Sequence, residues 1–208
     1  NTVLFHGVVI PITASRDKSV KLIKNANSGD KLIGVVSQKD SSVLDPKISD
    51  INKIGTVAKI LRVLQMPDGN ITVIIQGKKR FEVKDIISDD PYFTATINEI
   101  PESKPDFTDK KFIATIDSIK DLALKIINEN PNIPSEASFV IKNIHSNTFL
   151  VNFVSSNMNI SINEKYNILK INGLQDRALS CLKFMNVEFQ KLSLKNDIQS
   201  KVWTDLDQ

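Results

Sequence analysis

Apolar positions fall in strand-length blocks over residues 1–100 and at helical spacing after residue 110. Residues 8–12 (VVIPI) and 31–38 (KLIGVVSQ) are apolar runs rich in β-branched side chains, which predict strands. Two longer runs, 54–66 and 70–85, flank Met66-Pro67-Asp68-Gly69-Asn70, where Pro presets φ and Gly supplies a positive φ. Together they predict an antiparallel hairpin. Ile71, Val73 and Ile75 alternate with Thr72, Ile74 and Gln76, so apolar residues occupy both faces of the second strand. Residues 93–100 (FTATINEI) predict a last strand closed by Pro101, and Val3, Leu4 and Phe5 read as strand at the start. One helix interrupts these strands, with Ser15 as its N-cap, Asp17 in its first turn, Val20, Leu22, Ile23 and Ala26 behind, and Asn27-Ser28-Gly29 as its stop.

The period then changes. Residues 101–109 (PESKPDFTD) are polar and Pro-containing and predict a linker. Beyond it, Phe112, Ile116, Ile119, Ala123, Ile126 and Ile127 share one helical face. Pro131 and Pro134 break that pattern, residues 135–144 predict a second helix, and residues 146–156 a third capped by Ser146. Ser161-Ile162-Asn163-Glu164 is a capping box that opens a fourth helix, stopped by Asn172-Gly173. The last helix starts near Leu174, and Ala178, Leu182, Met185, Phe189 and Leu192 follow heptad spacing. Asn196 and Gln199 then occupy the same register, so the first half is expected to pack on a bundle and the second half to project. The division predicted is a β-rich part, residues 1–102, and a helical part, residues 103–208. Both ends read as cut, because position 1 is not Met and a helical pattern still runs at Gln208.

Composition changes this picture little. At 208 residues, 41% hydrophobic and with a net charge of +3, the chain is of ordinary globular type. Residues 1–102 carry 14 Lys/Arg against 12 Asp/Glu, and residues 103–208 carry 13 against 12, so neither half is a basic patch that calls for nucleic acid. A single cysteine, Cys181, permits no internal disulfide and fits a reducing, cytoplasmic setting. No apolar run approaches the roughly 20 residues that span a bilayer.

Candidate chemistry is sparse. Phosphate loops of the G-x-x-x-x-G-K-[ST] and G-x-G-x-x-G types, H-E-x-x-H and G-x-S-x-G do not occur. His6 reads as a turn residue, His145 as a helix end, and Cys181 as packing beside the last helix's seam. His6, His145 and Cys181 lie too far apart in sequence to suggest a zinc site. Lys78-Lys79-Arg80 is the one tight basic cluster; contact with nucleic acid or an acidic partner is the alternative, but without interleaved aromatics or a second cluster it reads as a solvated edge or turn. Asp89-Asp90 before Pro91 reads as a turn. The residues thus point to an α+β binding module without visible catalytic apparatus.

Five stretches, in order, resemble the N-terminal region of the Lon proteases: residues 1–12 (NTVLFHGVVIPI), 29–39 (GDKLIGVVSQK), 54–81 (IGTVAKILRVLQMPDGNITVIIQGKKRF), 133–139 (IPSEASF) and 195–208 (KNDIQSKVWTDLDQ). The third carries the family's G-T-x-A, M/L-P-D-G and G-x-x-R-F/A arrangement. His6 departs from the Pro usual after L-F. The resemblance implies a PUA-like β pseudo-barrel subdomain followed by an α-helical bundle with a long C-terminal helix. It implies a non-catalytic region that recognises unfolded or tagged proteins and supports assembly of a homohexamer. ATP and Mg would then be bound by the AAA+ module, and cleavage carried by the Ser/Lys protease domain, both outside this segment. Neither cofactor nor metal is expected here. Substrate would be held on exposed apolar surface, for which Phe5, Leu64, Met66 and Phe81 are candidates, with Arg16 and Lys18 as polar contacts. The competing readings are a stand-alone PUA-like binding protein, an RNA-binding protein, or an enzyme with an unrecognised site.

Overall fold

The structure is a computed structural model that describes residues 1–207. It divides into two compact units, one formed by Asn1–Glu102 with Ser161–Lys170, the other by Ser103–Ile160 with Ile171–Gln208.

The first unit is built on an antiparallel sheet of β1 (Val9–Ala14), β2 (Leu32–Val35), β3 (Ile54–Gln65), β4 (Ile71–Ser88) and β5 (Thr94–Glu99), with α1 (Asp17–Asn27) joining β1 to β2. The strand order is β1-β4-β3-β2, and β5 also pairs with β4. β4 organises the sheet: its first part pairs with β1 and its second with β5, while β3 runs beside most of it. The β3–β4 hairpin forms as its turn residues predict. Met66 N donates to Asn70 O at 2.9 Å, and Gly69 sits at φ 88°, a conformation Gly adopts without cost. Ile71, Val73 and Ile75 face the core with Leu4, Ile23, Ala58 and Ile60. Thr72, Ile74 and Gln76 are half-buried.

Three local expectations are corrected in this unit. Val3, Leu4 and Phe5 are buried but irregular, not a strand. The segment is held by other means: Thr56 Oγ1 donates to Leu4 O at 2.6 Å, and the Asn1 side chain pairs with both backbone groups of Gln38. Next to it, Gly7 N donates to Gly77 O at 2.8 Å and Gly77 N to Val8 O at 2.9 Å. A side chain at Gly77 would lie 2.4 Å from Phe5 O, so the two backbones approach only because this residue has no Cβ. Second, the N-cap of α1 is Arg16, not Ser15, and it makes no side-chain cap bond. Arg16 stays extended while its carbonyl accepts from Val20 N, and Asp17 supplies the favourable charge in the first turn. Third, the basic cluster is not a solvated edge throughout. Lys79 pairs with Glu99, but Arg80 is 2% exposed and its Nη1 donates to Leu169 O at 3.0 Å. Leu169 ends α5 (Ile162–Leu169), so Arg80 satisfies a carbonyl left over at that helix's C-terminus. The helix opens with the capping box read from the sequence, Ser161 Oγ accepting from Glu164 N at 3.1 Å and Glu164 Oε1 from Ser161 N at 3.1 Å. Placed by sequence in the helical part, α5 groups instead with the sheet.

The second unit comprises α2 (Lys110–Glu129), α3 (Ala137–Lys142), α4 (Asn147–Asn157) and α6 (Leu174–Leu206). Asp109 caps α2 by accepting from Phe112 N at 3.0 Å, and Ser146 caps α4. α2 buries Phe112, Ile116, Ile119, Ala123 and Ile126, the face its spacing predicts, while Ile127 is half-buried. α3 is shorter than expected. The seam of α6 is displaced: its buried residues are Leu174, Arg177, Ala178, Cys181 and Met185, whereas Leu182, Phe189 and Leu192 are half-buried. Arg177 hides the true seam from a hydrophobicity reading. It is fully buried, donating from Nε to Asn152 Oδ1 and from Nη1 to Ile171 O, both at 3.1 Å. The predicted linker is also tied: Ser103 N donates to Asn172 O and Leu174 N to Ser103 O. Asn196 Nδ2 donates to Glu129 O at 2.9 Å, after which α6 is exposed to its end. Asp207 is its C-cap, and Gln208, where the pattern reads as helix, lies outside the described residues.

Among the described residues, no helix is long and apolar enough to cross a membrane.

Candidate functional site

Two clefts that can receive a ligand lie beside α1 and β2 in the first unit. α1 turns Ile23 into the core and leaves Leu22 half-buried at its flank. β2 is only four residues long, and Tyr92 and Phe93, in the bend before β5, line the same clefts as its Ile33 and Gly34. Tyr92 is pinned there by a hydrogen bond between its hydroxyl and the Asn25 side-chain amide. The bend itself turns at a cis Asp90-Pro91 bond, with Ser88 Oγ bonded to the backbone of Asp90. Asp89 and Asp90 thus belong to a turn, as the sequence suggests.

Two open clefts result, of ≈ 320 Å³ and ≈ 410 Å³. They share Leu22, Ile33, Gly34, Val36, Ile51, Tyr92 and Phe93 and so adjoin. The first adds Ile12, Ala14 and Val35 as apolar lining, with Arg16, Lys18 and Asp45 as its charged side chains. The second adds Leu32, Val57, Phe81, Val83, Ile86 and Ile97 and, among the described residues, carries no charged side chain. Lys18 Nζ lies 5.2 Å from the centre of the Phe93 ring, a cation–π distance, and Arg16 Nη2 donates to Gln38 Oε1 at 3.4 Å. Among the described residues, neither cation is paired with a carboxylate. Apolar walls with a few polar groups at one rim suit an apolar side chain held near a polar or acidic group.

The sequence candidates separate in the structure. Arg16 and Lys18 stand at the first cleft and Phe81 in the wall of the second. Phe5 and Phe81 are 0% and 2% exposed, so they build the core and offer no free apolar surface themselves. Leu64 is half-buried and Met66 44% exposed at the hairpin turn, in neither cleft. Tyr92, Phe93, Leu22 and Val36 were not singled out by sequence. The available signal was the aromatic pair directly after Asp-Asp-Pro, a position that presents bulky side chains from a turn.

Elsewhere, His6 Nε2 lies within hydrogen-bond distance, 3.2 Å, of Glu102 Oε1, both largely buried, so His6 has a polar partner as well as a place in the turn. Cys181 is fully buried in the second unit, and burial pushes its thiol up to about 12. That leaves it protonated and a poor nucleophile. A third cleft, of ≈ 260 Å³, lies within the helical unit between α2, α3, α4 and α6, with Ile127, Val140, Phe153 and Met158 in its walls. Among the described residues, no group of three or more His, Cys, Asp or Glu is placed to hold a metal ion.

Comparison with known proteins gives concordant matches. Residues 1–187 match the family model of the ATP-dependent protease La (LON) substrate-binding domain. The chain is 65% identical over its whole length to the Lon protease of Flavobacterium johnsoniae and 43% identical over its whole length to that of Cytophaga hutchinsonii, covering 26% of each. It therefore spans about a quarter of the length of these curated relatives. In fold it is similar to the N-terminal domain of a Mycobacterium avium complex Lon protease, with a TM-score of 0.71 at 17% identity over 89% of this chain and 94% of that one. A Lon N-terminal domain protein from Xanthomonas campestris gives 0.60 at 14% identity, over 88% and 92%.

Proposed function

The chain belongs to the Lon substrate-binding domain family, and from that premise we propose that it is the non-catalytic substrate-recognition region of a Lon-type ATP-dependent serine protease. In this reading it holds unfolded or tagged proteins weakly and passes them to the AAA+ module of the same chain, within a cytoplasmic homohexamer. ATP and Mg are bound by that module, and peptide bonds are cut by a Ser/Lys dyad in the protease domain, so this segment supplies affinity and no bond chemistry.

The observation that carries the proposal is the pair of adjoining apolar clefts between α1, β2 and Tyr92-Phe93. Folded proteins bury most large apolar side chains, whereas unfolded ones present them without a fixed sequence. Open apolar clefts therefore discriminate between the two states. Affinity is expected to be modest: one large side chain buried in such a cleft contributes about 1.5–3 kcal/mol. Weak holding suits transfer to a motor. Arg16 and Lys18 add a preference at the rim, and Met66 offers a separate exposed apolar contact.

Photo-crosslinking tests this. A benzophenone amino acid is placed at Tyr92, at Met66, or at exposed Phe139 in the helical unit, and the chain is mixed with a reduced, carboxymethylated protein or its native form. Crosslinking from position 92 that requires the unfolded form is expected. Equal yields from all three positions, or equal yields with the native form, would refute the assignment to these clefts.

A further inference from the structure

The two clefts meet at a strand edge. Among the described residues, β2 pairs with β3 and with no other strand. The phase of that ladder decides which backbone groups face outward. Ile60 N donates to Lys31 O at 2.8 Å, and the same register pairs Ile33 with Ala58 and Val35 with Thr56. In an antiparallel ladder such hydrogen-bonded pairs alternate with pairs whose amides point away from the partner. Leu32 and Gly34 therefore turn N–H and C=O toward the unpaired side. Leu32 N behaves accordingly, donating to Asp30 Oδ1 at 3.0 Å. Gly34 is exposed, so its outward N–H and C=O remain accessible.

Side-chain parity places the clefts on opposite faces of this edge. Val35 lines only the first cleft. A Cβ on Gly34 would point the other way, toward Phe81 Cζ at 3.1 Å, and Phe81 lines only the second. A strand laid along β2 would thus send successive side chains alternately into the two clefts.

We infer that β2 receives an extended segment of unfolded polypeptide as an added strand, bonded through the backbone of Gly34, with successive apolar side chains entering the two clefts in turn and an acidic residue against Arg16 and Lys18. The inference rests on the reading that these clefts hold substrate, and it names the class of segment they hold. Main-chain pairing suits such a partner because every unfolded chain offers the same amide groups, while side-chain clefts add preference. Charge complementarity sets the acidic end: Arg16 and Lys18 outnumber Asp45 at the first cleft, and neither cation has a carboxylate partner among the described residues.

A labelled eight-residue peptide with Val and Phe at successive central positions, Thr at its flanks and Asp at its end is titrated with the 208-residue chain by fluorescence anisotropy. Its backbone amides are then N-methylated one at a time. Loss of a hydrogen bond is expected to weaken binding by about 2- to 10-fold at alternate positions, with the positions between them unaffected. On the protein, Gly34→Pro removes the outward N–H, whereas Gly34→Ala keeps it and meets the same Phe81 contact, so Pro should weaken binding by a similar factor relative to Ala. Arg16→Glu with Lys18→Glu should reverse the preference for the Asp-ended peptide over a Lys-ended one. A peptide that fails to bind at all overturns the substrate reading of the clefts and this inference with it. Binding that shows no two-residue period under N-methylation overturns strand addition alone. The peptide scan stands even where Gly34→Pro does not fold.

Discussion

Thr56→Val isolates the hydroxyl that anchors the N-terminal segment. Val matches Thr in shape, so the substitution removes an O–H and leaves the packing nearly unchanged. In the native chain that hydroxyl donates to Leu4 O at 2.6 Å, and both residues are buried, at 0% and 2% exposure. The carbonyl of Leu4 would then lie in the interior without its donor. Leaving a buried acceptor unsatisfied costs about 1–3 kcal/mol, more than the net value of an exposed bond. At roughly 2–8 °C per kcal/mol for domains of this size range, the melting temperature should fall by several degrees. Thr56→Ser is the informative partner variant: it keeps the donor and loses one methyl, which costs about 1 kcal/mol. Urea titration followed by tryptophan-independent far-UV circular dichroism compares the three proteins. Val should be the less stable variant. If Val matches the parent while Ser loses more than 1 kcal/mol, the methyl and not the hydroxyl holds the segment, and the account of this anchor is wrong.

Gly77→Ala brings a Cβ within 2.4 Å of Phe5 O and 3.0 Å of His6 Cα, both backbone atoms; a loss of about 1–3 kcal/mol is expected in the urea midpoint, and an unchanged midpoint would show that the segment moves freely. Ser161→Ala removes the acceptor for Glu164 N and should cost about 1 kcal/mol, with Ser161→Asp restoring it. Cys181, with its thiol raised from 9.0 to about 12 by burial, should not react with a thiol reagent at pH 8 until urea exposes it. Its raised pKa means the folded state holds the proton more tightly, so the associated stability is complete below pH 9 and declines, by up to about 1.4 kcal/mol per unit, as pH rises from 9 toward 12. Cys181→Ala should flatten that alkaline decline, and an unchanged slope would sink the attribution.

Elements whose signal is local were legible in the sequence. The β3–β4 hairpin, the Ser146 cap and the Ser161–Glu164 box depend on neighbours within a few residues, and each forms as read. Features that depend on distant partners were not. Arg80 reads as surface because it follows two lysines, yet its guanidinium meets a carbonyl 89 residues away. Arg177 interrupts an apolar count but fills the core by bonding Asn152 and Ile171. Ser15 is a better N-cap by residue type than Arg16, but β1 keeps the chain extended through Ala14 and the helix starts one residue late.

The same distinction explains why the family was easier to read than the site. The motif residues that carry the resemblance serve the architecture: Thr56 binds Leu4, Gly77 admits the N-terminal backbone, Arg80 caps α5 and Phe81 fills the core. Each has a single partner of fixed geometry, which demands one residue type at one position. The clefts demand far less. Leu22, Val36, Tyr92 and Phe93 need only be apolar and exposed to a groove, and the Gly34 backbone can be offered by any residue that leaves the edge open. A site for unfolded chains gains from such tolerance, because its ligands share amides and apolar bulk but no sequence. If the clefts hold unfolded chains as proposed, low specificity toward ligand entails a weak sequence signature for the site, and only the fold, by bringing α1, β2 and the turn before β5 together, makes it visible.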